Sequence, residues 1–236
     1  MRAHLVKVMY VEAAHRNPLG SAAQQRLHGH SYRIEVLASG APDAQVGWVV
    51  DFAELKHLFA PLYARLDHAC LNDLPGLEVD STLPGLRRWI VERLQPVPVW
   101  LEGVRVSIVG DLRFAPRRLA EDPARGLPER IAYTFEAAQS LPHLPVDHHC
   151  RKIHGHSYRM EVGARNLDPL QTDLEALYQA FDHRYLNDVP GLEIATCEFI
   201  CEWVWGWLQG RDHTPTVVLT QETETSQCLY FGENAV

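Results

Sequence analysis

The stretch His154-Gly155-His156-Ser157-Tyr158-Arg159 decides how this chain folds, because His28-Gly29-His30-Ser31-Tyr32-Arg33 repeats it letter for letter. Two histidines at i and i+2 point the same way on a β-strand, where successive side chains alternate faces. The glycine between them leaves the opposite face without a side chain. The same parity continues through Tyr32, Ile34 and Val36 in one copy and Tyr158, Met160 and Val162 in the other. Each histidine pair therefore heads an apolar, inward-facing run, a sheltered place for a metal ion. A single His-x-His would read as two structural histidines at a strand start. A duplicated one, each opening an alternating strand, favours a functional site.

Working outward, the repeat covers the chain. Val11-Glu12-Ala13-Ala14-His15 answers Phe135-Glu136-Ala137-Ala138-Gln139, with two extra residues in the second loop that follows. Such self-similarity has to be settled before any fold is assigned. Strands are predicted over 5–15 and 131–139. Phe52, Leu55, Phe59, Leu62 and Leu66 have the spacing of an amphipathic helix, capped by Asp51. The matching helix is predicted from Asp173 through Leu174, Leu177 and Phe181, about two turns shorter. Both run into a shared motif, Asp67-His68-Ala69-Cys70-Leu71-Asn72-Asp73 and Asp182-His183-Arg184-Tyr185-Leu186-Asn187-Asp188, and then Pro-Gly-Leu-Glu at 75–78 and 190–193. Leu86, Ile90 and Leu94 mark a second helix, as do Phe199, Trp203, Val204 and Trp207 in the second copy. Strands close the copies at 104–109 and 217–221, with a further one at 228–231. Residues 113–129 are rich in proline and charge, and 120–129 read as a linker. The fold class is α+β: two tandem antiparallel modules, 1–119 and 130–236, each ordered β, β, α, α, β, β.

Composition bounds the function. With 236 residues and 46% hydrophobic content the chain can bury a sizeable core. No run approaches a membrane span, and the N-terminus lacks a signal peptide's charged-then-apolar pattern, so a soluble cytoplasmic protein is expected. Five cysteines (70, 150, 197, 201 and 228) without a CxxC pair point to free thiols. A net charge of −8 argues against a nucleic-acid surface but leaves room for an anionic small substrate in a local basic pocket.

Ala-Ala-His at 13–15, Cys150 four residues before the second His-Gly-His, Gly-Trp-Val-Val-Asp-Phe at 47–52, the two Asp-His-x-x-Leu-Asn-Asp-x-Pro-Gly-Leu-Glu runs and Glu222-Thr223 are carried together by few proteins. The combination resembles the 6-pyruvoyltetrahydropterin synthase family, most of all its bacterial branch, 6-carboxytetrahydropterin synthase of queuosine biosynthesis, fused in tandem. The resemblance implies a T-fold in each module. It implies Zn²⁺ on three histidines, His15, His28 and His30 in the first module, polarising the hydroxyls of the substrate side chain. It makes Cys150 the general base, with Arg151, Lys152 and His149 expected to favour its thiolate. Asp182-His183 and Asp67-His68 match the family's acid–base dyad, which in relatives reaches the cysteine from a neighbouring subunit. Glu222, followed by Thr223, matches the carboxylate that grips the pterin.

The copies depart from the family in opposite ways. The first has Gln24 in place of the cysteine and Ile108 in place of the glutamate. The second has His154 and His156, but Gln139 stands where the third ligand belongs; His143, His148 or His149 are the loop histidines that could substitute. The implied reaction converts 7,8-dihydroneopterin triphosphate to 6-carboxytetrahydropterin, acetaldehyde and triphosphate. Alternatives are a 6-pyruvoyltetrahydropterin synthase or another pterin side-chain lyase, and a non-catalytic pterin-binding or assembly protein with degenerate sites. Relatives close three T-fold units into a barrel and stack two barrels, so a homo-oligomer, a trimer of two-module chains, is expected, with no nucleic-acid or membrane partner.

Overall fold

The computed structural model describes residues 1–232. β1 (Ala3–His15) and β2 (His28–Gly40) pair antiparallel, with His15 opposite His28 at one end and Ala3 opposite Gly40 at the other. Helix α1 (Phe52–Leu66) starts at Asp51, whose carboxylate accepts the Ala53 N–H, and buries Leu55, Phe59, Leu62 and Leu66. A two-residue strand, β3 (Ala69–Cys70), returns parallel to β1 at Ala13 and Ala14. Helix α2 (Leu83–Arg93), capped by Thr82, and β4 (Leu101–Ile108) complete a sheet ordered β3-β1-β2-β4. Tyr32, Ile34 and Val36 of β2 pack with both helices in one core, as their alternation requires.

The second half repeats this plan, as expected for two tandem modules. β6 (Arg130–Gln139), β7 (His154–Ala164), α3 (Leu170–Phe181), β8 (Arg184–Tyr185), α4 (Cys197–Gln209), β9 (Pro215–Thr223) and β10 (Ser226–Tyr230) follow in order. Their core gathers Tyr158, Met160 and Val162 against α3 and α4. α3 begins at Leu170 rather than Asp173, and at 12 residues against 15 it is about one turn shorter than α1, not two. Leu170 extends the buried stripe of Leu174, Leu177 and Phe181 by that turn. The buried face of α4 is Ile200, Cys201, Val204 and Leu208; Phe199 is exposed, and Trp203 and Trp207 pack at the rim.

The expected sixth element of the first copy, its last strand, goes elsewhere. Arg117–Leu119 forms β5, antiparallel to the start of β6, so the second sheet runs β10-β9-β7-β6-β5 with β8 beside β6. If 1–119 and 130–236 are the modules, as we propose, β5 straps the first onto the second. Residues 120–129 form a tight turn closed by an Asp122–Leu127 bridge.

The modules meet back to back along β2 and β7. A Cβ on Gly29 would collide with the Gly155 Cα, and one on Gly155 with the Gly29 Cα, which is why both repeats need glycine there. Ser31 N–H donates to Ser157 Oγ and Ser157 N–H to Ser31 Oγ, each at 3.1 Å. Reciprocal contacts of this kind are the mark of an approximate two-fold axis. Among the described residues no helix is long and apolar enough to cross a membrane.

Candidate active site and metal centre

The pairing register brings three imidazoles together in the first module. His15, His28 and His30 are buried, and their ligand nitrogens lie within 4.8 Å of one another. Each Nδ1 is engaged from behind: by Ser81 Oγ at 3.0 Å for His15, by the Arg26 carbonyl at 2.8 Å for His28, and by Glu136 Oε2 at 2.6 Å for His30. With Nδ1 held, Nε2 is left for a ligand, the usual arrangement around a metal-bound histidine. Burial, reinforced by the neighbouring imidazoles, pushes His15 and His30 down to about 3 and His28 lower still, so all three are neutral. Three neutral convergent imidazoles fit a zinc-type ion. A pocket of about 220 Å³ opens onto them, lined also by Gln24 and Ile108, which stand at the positions of Cys150 and Glu222 in the second copy.

The second module is built differently around the same scaffold. His154 Nδ1 is held by the Lys152 carbonyl, matching His28, and burial lowers His154 to about 3. Gln139 stands at the His15 position, and Ala195 stands where Ser81 supports His15, so ligand and support are lost together. Gln139 Nε2 donates to Glu222 Oε1 at 2.6 Å, and the same oxygen lies 2.8 Å from His156 Nε2. His156 Nδ1 is 2.8 Å from Glu12 Oε2 across the module seam. Burial opposes charge on His156, but the two carboxylates outweigh it and raise it to about 9. Glu222, despite its own burial, is held down to about 2 by His156. The third donor within 4.8 Å of His154 and His156 is therefore Glu222. None of the loop histidines takes that place: His148 caps the turn before Cys150, His149 stacks on His68, and His143 is exposed.

The acid–base dyads cross the seam. His68 lies with its ring 4.5 Å from that of His154, and its ligand nitrogen is within 4.8 Å of Cys150 Sγ. Asp67 Oδ2 holds His68 Nδ1 at 2.9 Å. Cys150 thus meets a histidine oriented by a carboxylate, with the dyad supplied by the other module of its own chain. Asp182 and His183 do not face Cys150 within the chain: Asp182 Oδ2 holds His183 Nδ1 at 2.6 Å, and the His183 ring lies 4.3 Å from that of His28. Both histidines occupy left-handed backbone, φ 53° at His68 and 52° at His183. Such strain costs roughly 1–3 kcal/mol and persists only where the surroundings enforce it. Here the His68 N–H donates to the Glu12 carbonyl at 2.7 Å and the His183 N–H to the Glu136 carbonyl at 2.6 Å.

One expectation needs correcting. Cys150 is not primed as a thiolate: burial, with Glu222 and Asp67 nearby, pushes its thiol up. Arg151 spends its guanidinium on the Pro142 and Leu144 carbonyls instead. Glu222 near the end of β9 is surrounded by Gln139, His156 and, at 3.6 Å, Cys197 Sγ. Thr223 follows it at the end of β9, its hydroxyl 3.4 Å from that of Thr225. Sequence reading missed Glu12 and Glu136 as supports of His156 and His30. Their identical place in Val-Glu-Ala-Ala-His and Phe-Glu-Ala-Ala-Gln was the available signal.

The family described as 6-pyruvoyl tetrahydropterin synthase matches residues 4–109 and again 130–233. A 6-carboxy-5,6,7,8-tetrahydropterin synthase of Synechocystis sp. is 34% identical over 120 residues, 42% of this chain and 89% of that protein. A dihydroneopterin monophosphate aldolase of Pyrococcus furiosus is 30% identical over 95 residues, 40% of this chain and 77% of that protein. The solved 6-pyruvoyl tetrahydropterin synthase of Caenorhabditis elegans covers 46% of this chain and 96% of its own, at 22% identity and a TM-score of 0.38. With its family pattern matched twice and nearly end to end, the chain belongs to the 6-pyruvoyl tetrahydropterin synthase family as a tandem of two copies.

Proposed function

We propose that this protein is a pterin side-chain lyase, converting 7,8-dihydroneopterin triphosphate to 6-carboxytetrahydropterin with release of acetaldehyde and triphosphate. The observation that carries the reading is the convergence of Cys150, His68, Asp67, His154, His156 and Glu222 at one site across the seam. Glu222 receives the amide edge of the pterin, exchanging its bonds to Gln139 and His156 for paired hydrogen bonds from the ligand. Cys150 lies beside His68, which takes its proton and leaves a thiolate to remove one from the substrate side chain. Asp67 holds the imidazole in the orientation and tautomer this needs. Zn²⁺ would be held by His15, His28 and His30 in the first module; in the second, His154 and His156 are the two imidazoles left for it while Glu222 is committed to the pterin. When bound beside substrate the ion supplies polarisation of the side-chain hydroxyls.

Cys150→Ala tests the assignment. Turnover should fall about 10²- to 10⁴-fold, the usual contribution of a positioned acid or base, with melting temperature and assembly unchanged. Acetaldehyde released at the wild-type rate by this variant would refute the second-module site. Mass spectrometry of the product separates carboxy- from pyruvoyl-tetrahydropterin. A second reading, a pterin-binding protein without turnover, draws on one feature: Gln139 and His156 both engage the Glu222 carboxylate where a ligand and a metal would bind. Sustained product formation by zinc-loaded protein excludes it.

A further inference from the structure

A second cleft opens at the seam, beside the first-module histidines but lined by different residues. It has a volume of about 530 Å³, and its walls include Arg16, Arg26 and Leu27 from the first half and Arg184, Tyr185 and Asp188 from the second. Volumes of this size are typical of small-molecule sites. Arg26 Nε donates to the His183 carbonyl at 3.0 Å. None of the three guanidiniums has an ion-pair partner among the described residues, although Asp188 shares the cleft. Three like charges in one concavity, on a chain of net charge −8, repel one another unless something negative sits between them.

The approximate two-fold axis supplies an internal comparison. The positions equivalent to Arg16, Arg26 and Arg184 are Ser140, Lys152 and Ala69, so the matching place beside the Cys150 site keeps one cation of three. The backbone is shared by both halves and does not require the arginines, which therefore serve something bound on one side only. Guanidinium forks suit the paired oxygens of phosphates better than any other common anion. We propose that this cleft binds an oligophosphate group, gripped by Arg16, Arg26 and Arg184. The cleft is separate from Cys150, so the proposal stands whether or not the second-module site turns over.

Calorimetric titration of the intact protein with inorganic triphosphate and with GTP tests it. At least one should bind at micromolar concentration. Equal affinity identifies the phosphates alone as the ligand, and tighter GTP binding identifies an oligophosphate carried on an organic group. Arg26→Gln and Arg184→Gln should each weaken binding about tenfold or more, and Lys152→Gln should leave it unchanged. Zinc drawn from the histidine triad by triphosphate gives the same heat in every variant and cancels in the comparison. Arg184 is exposed, so its variant folds even if Arg26→Gln disturbs His183. Binding weaker than millimolar for both probes overturns the proposal, as does affinity unaltered in Arg184→Gln or lowered equally in Lys152→Gln.

Discussion

The carboxylates around them separate the chemistry of two histidines on equivalent strands. His30 and His156 each have a glutamate of the other module at Nδ1, Glu136 and Glu12. His156 also has Glu222 at Nε2, where Ile108 stands in the first module. Burial, with the His183 imidazole beside it, drives His30 down to about 3, and Glu136, itself pushed up by burial, does not counter it; Glu12 and Glu222 together overcome burial at His156 and raise it to about 9. A histidine raised in the folded state stabilises it fully below its unfolded value near 6.5, and that contribution is lost as pH rises through about 9. Metal-free protein should therefore lose stability between pH 7 and 10 through this group. Glu222→Gln should bring the His156 titration, followed by NMR of the ring carbons, down towards neutrality; an unmoved midpoint would assign the charge to Glu12 alone. The same asymmetry orders the metal sites. His15→Ala should remove most bound zinc, measured by plasma emission, and His154→Ala little. Loss of half or more in His154→Ala would show that Glu222 completes a competent second site. The histidines that converge were legible in the sequence because the repeat aligns them. The charge state of His156 was not, because Glu12 reaches it from the other module, far away in the chain.

At the scale of elements, β2 and β7 do two jobs with alternate residues. One parity carries the histidines and the core; the other carries Gly29, Ser31, Gly155 and Ser157 into the seam. Gly29→Ala or Gly155→Ala should destabilise by at least the ~1–3 kcal/mol of an overpacked core, since the obstacle is backbone and cannot swing aside. Gly206→Ala, on α4 with nothing near its Cβ position, should be neutral or slightly stabilising, which makes it the control in thermal melts. If the Gly29 variant melts like the Gly206 one, the seam is looser than the contact requires. Period and capping predicted α1 from Asp51 correctly. The same reasoning started α3 too late because Asp173 resembles a cap, while the segment in fact begins after Pro169. β5 was hidden for another reason: three residues have no periodicity to read, and only the partner β6 makes Arg117–Leu119 a strand.

For the whole molecule, the open sheet edges set the assembly. β3 covers β1 only at Ala13 and Ala14, so the rest of that strand's outer edge is unpaired among the described residues, and Val6 and Tyr10 on it are exposed. β4 and β10 end their sheets on the opposite sides. Unpaired edges of this length invite another chain unless something blunts them. The first sheet offers one long free edge at β1 and another at β4, the complement needed for a ring of copies. The back-to-back seam already joins the two modules that separate barrels would otherwise have to bring together. We propose that three chains close two such rings, one from each kind of module. The two rings are not equivalent, because β5 already occupies the start of β6 while β1 has no such strap. The first-module ring should therefore carry most of the association. Light scattering at micromolar concentration should give about three times the 26.8 kDa of one chain. Val6→Lys, a charge on the open β1 edge, should weaken assembly without unfolding the chain, because the residue is already exposed. The His68–Cys150 pairing lies within one chain, so the dissociated variant should keep the pair; loss of activity on dissociation would then come from substrate contacts between chains. A wild-type protein that scatters as a single chain would refute ring closure, and a dimer would assign one edge to a closed two-fold contact instead.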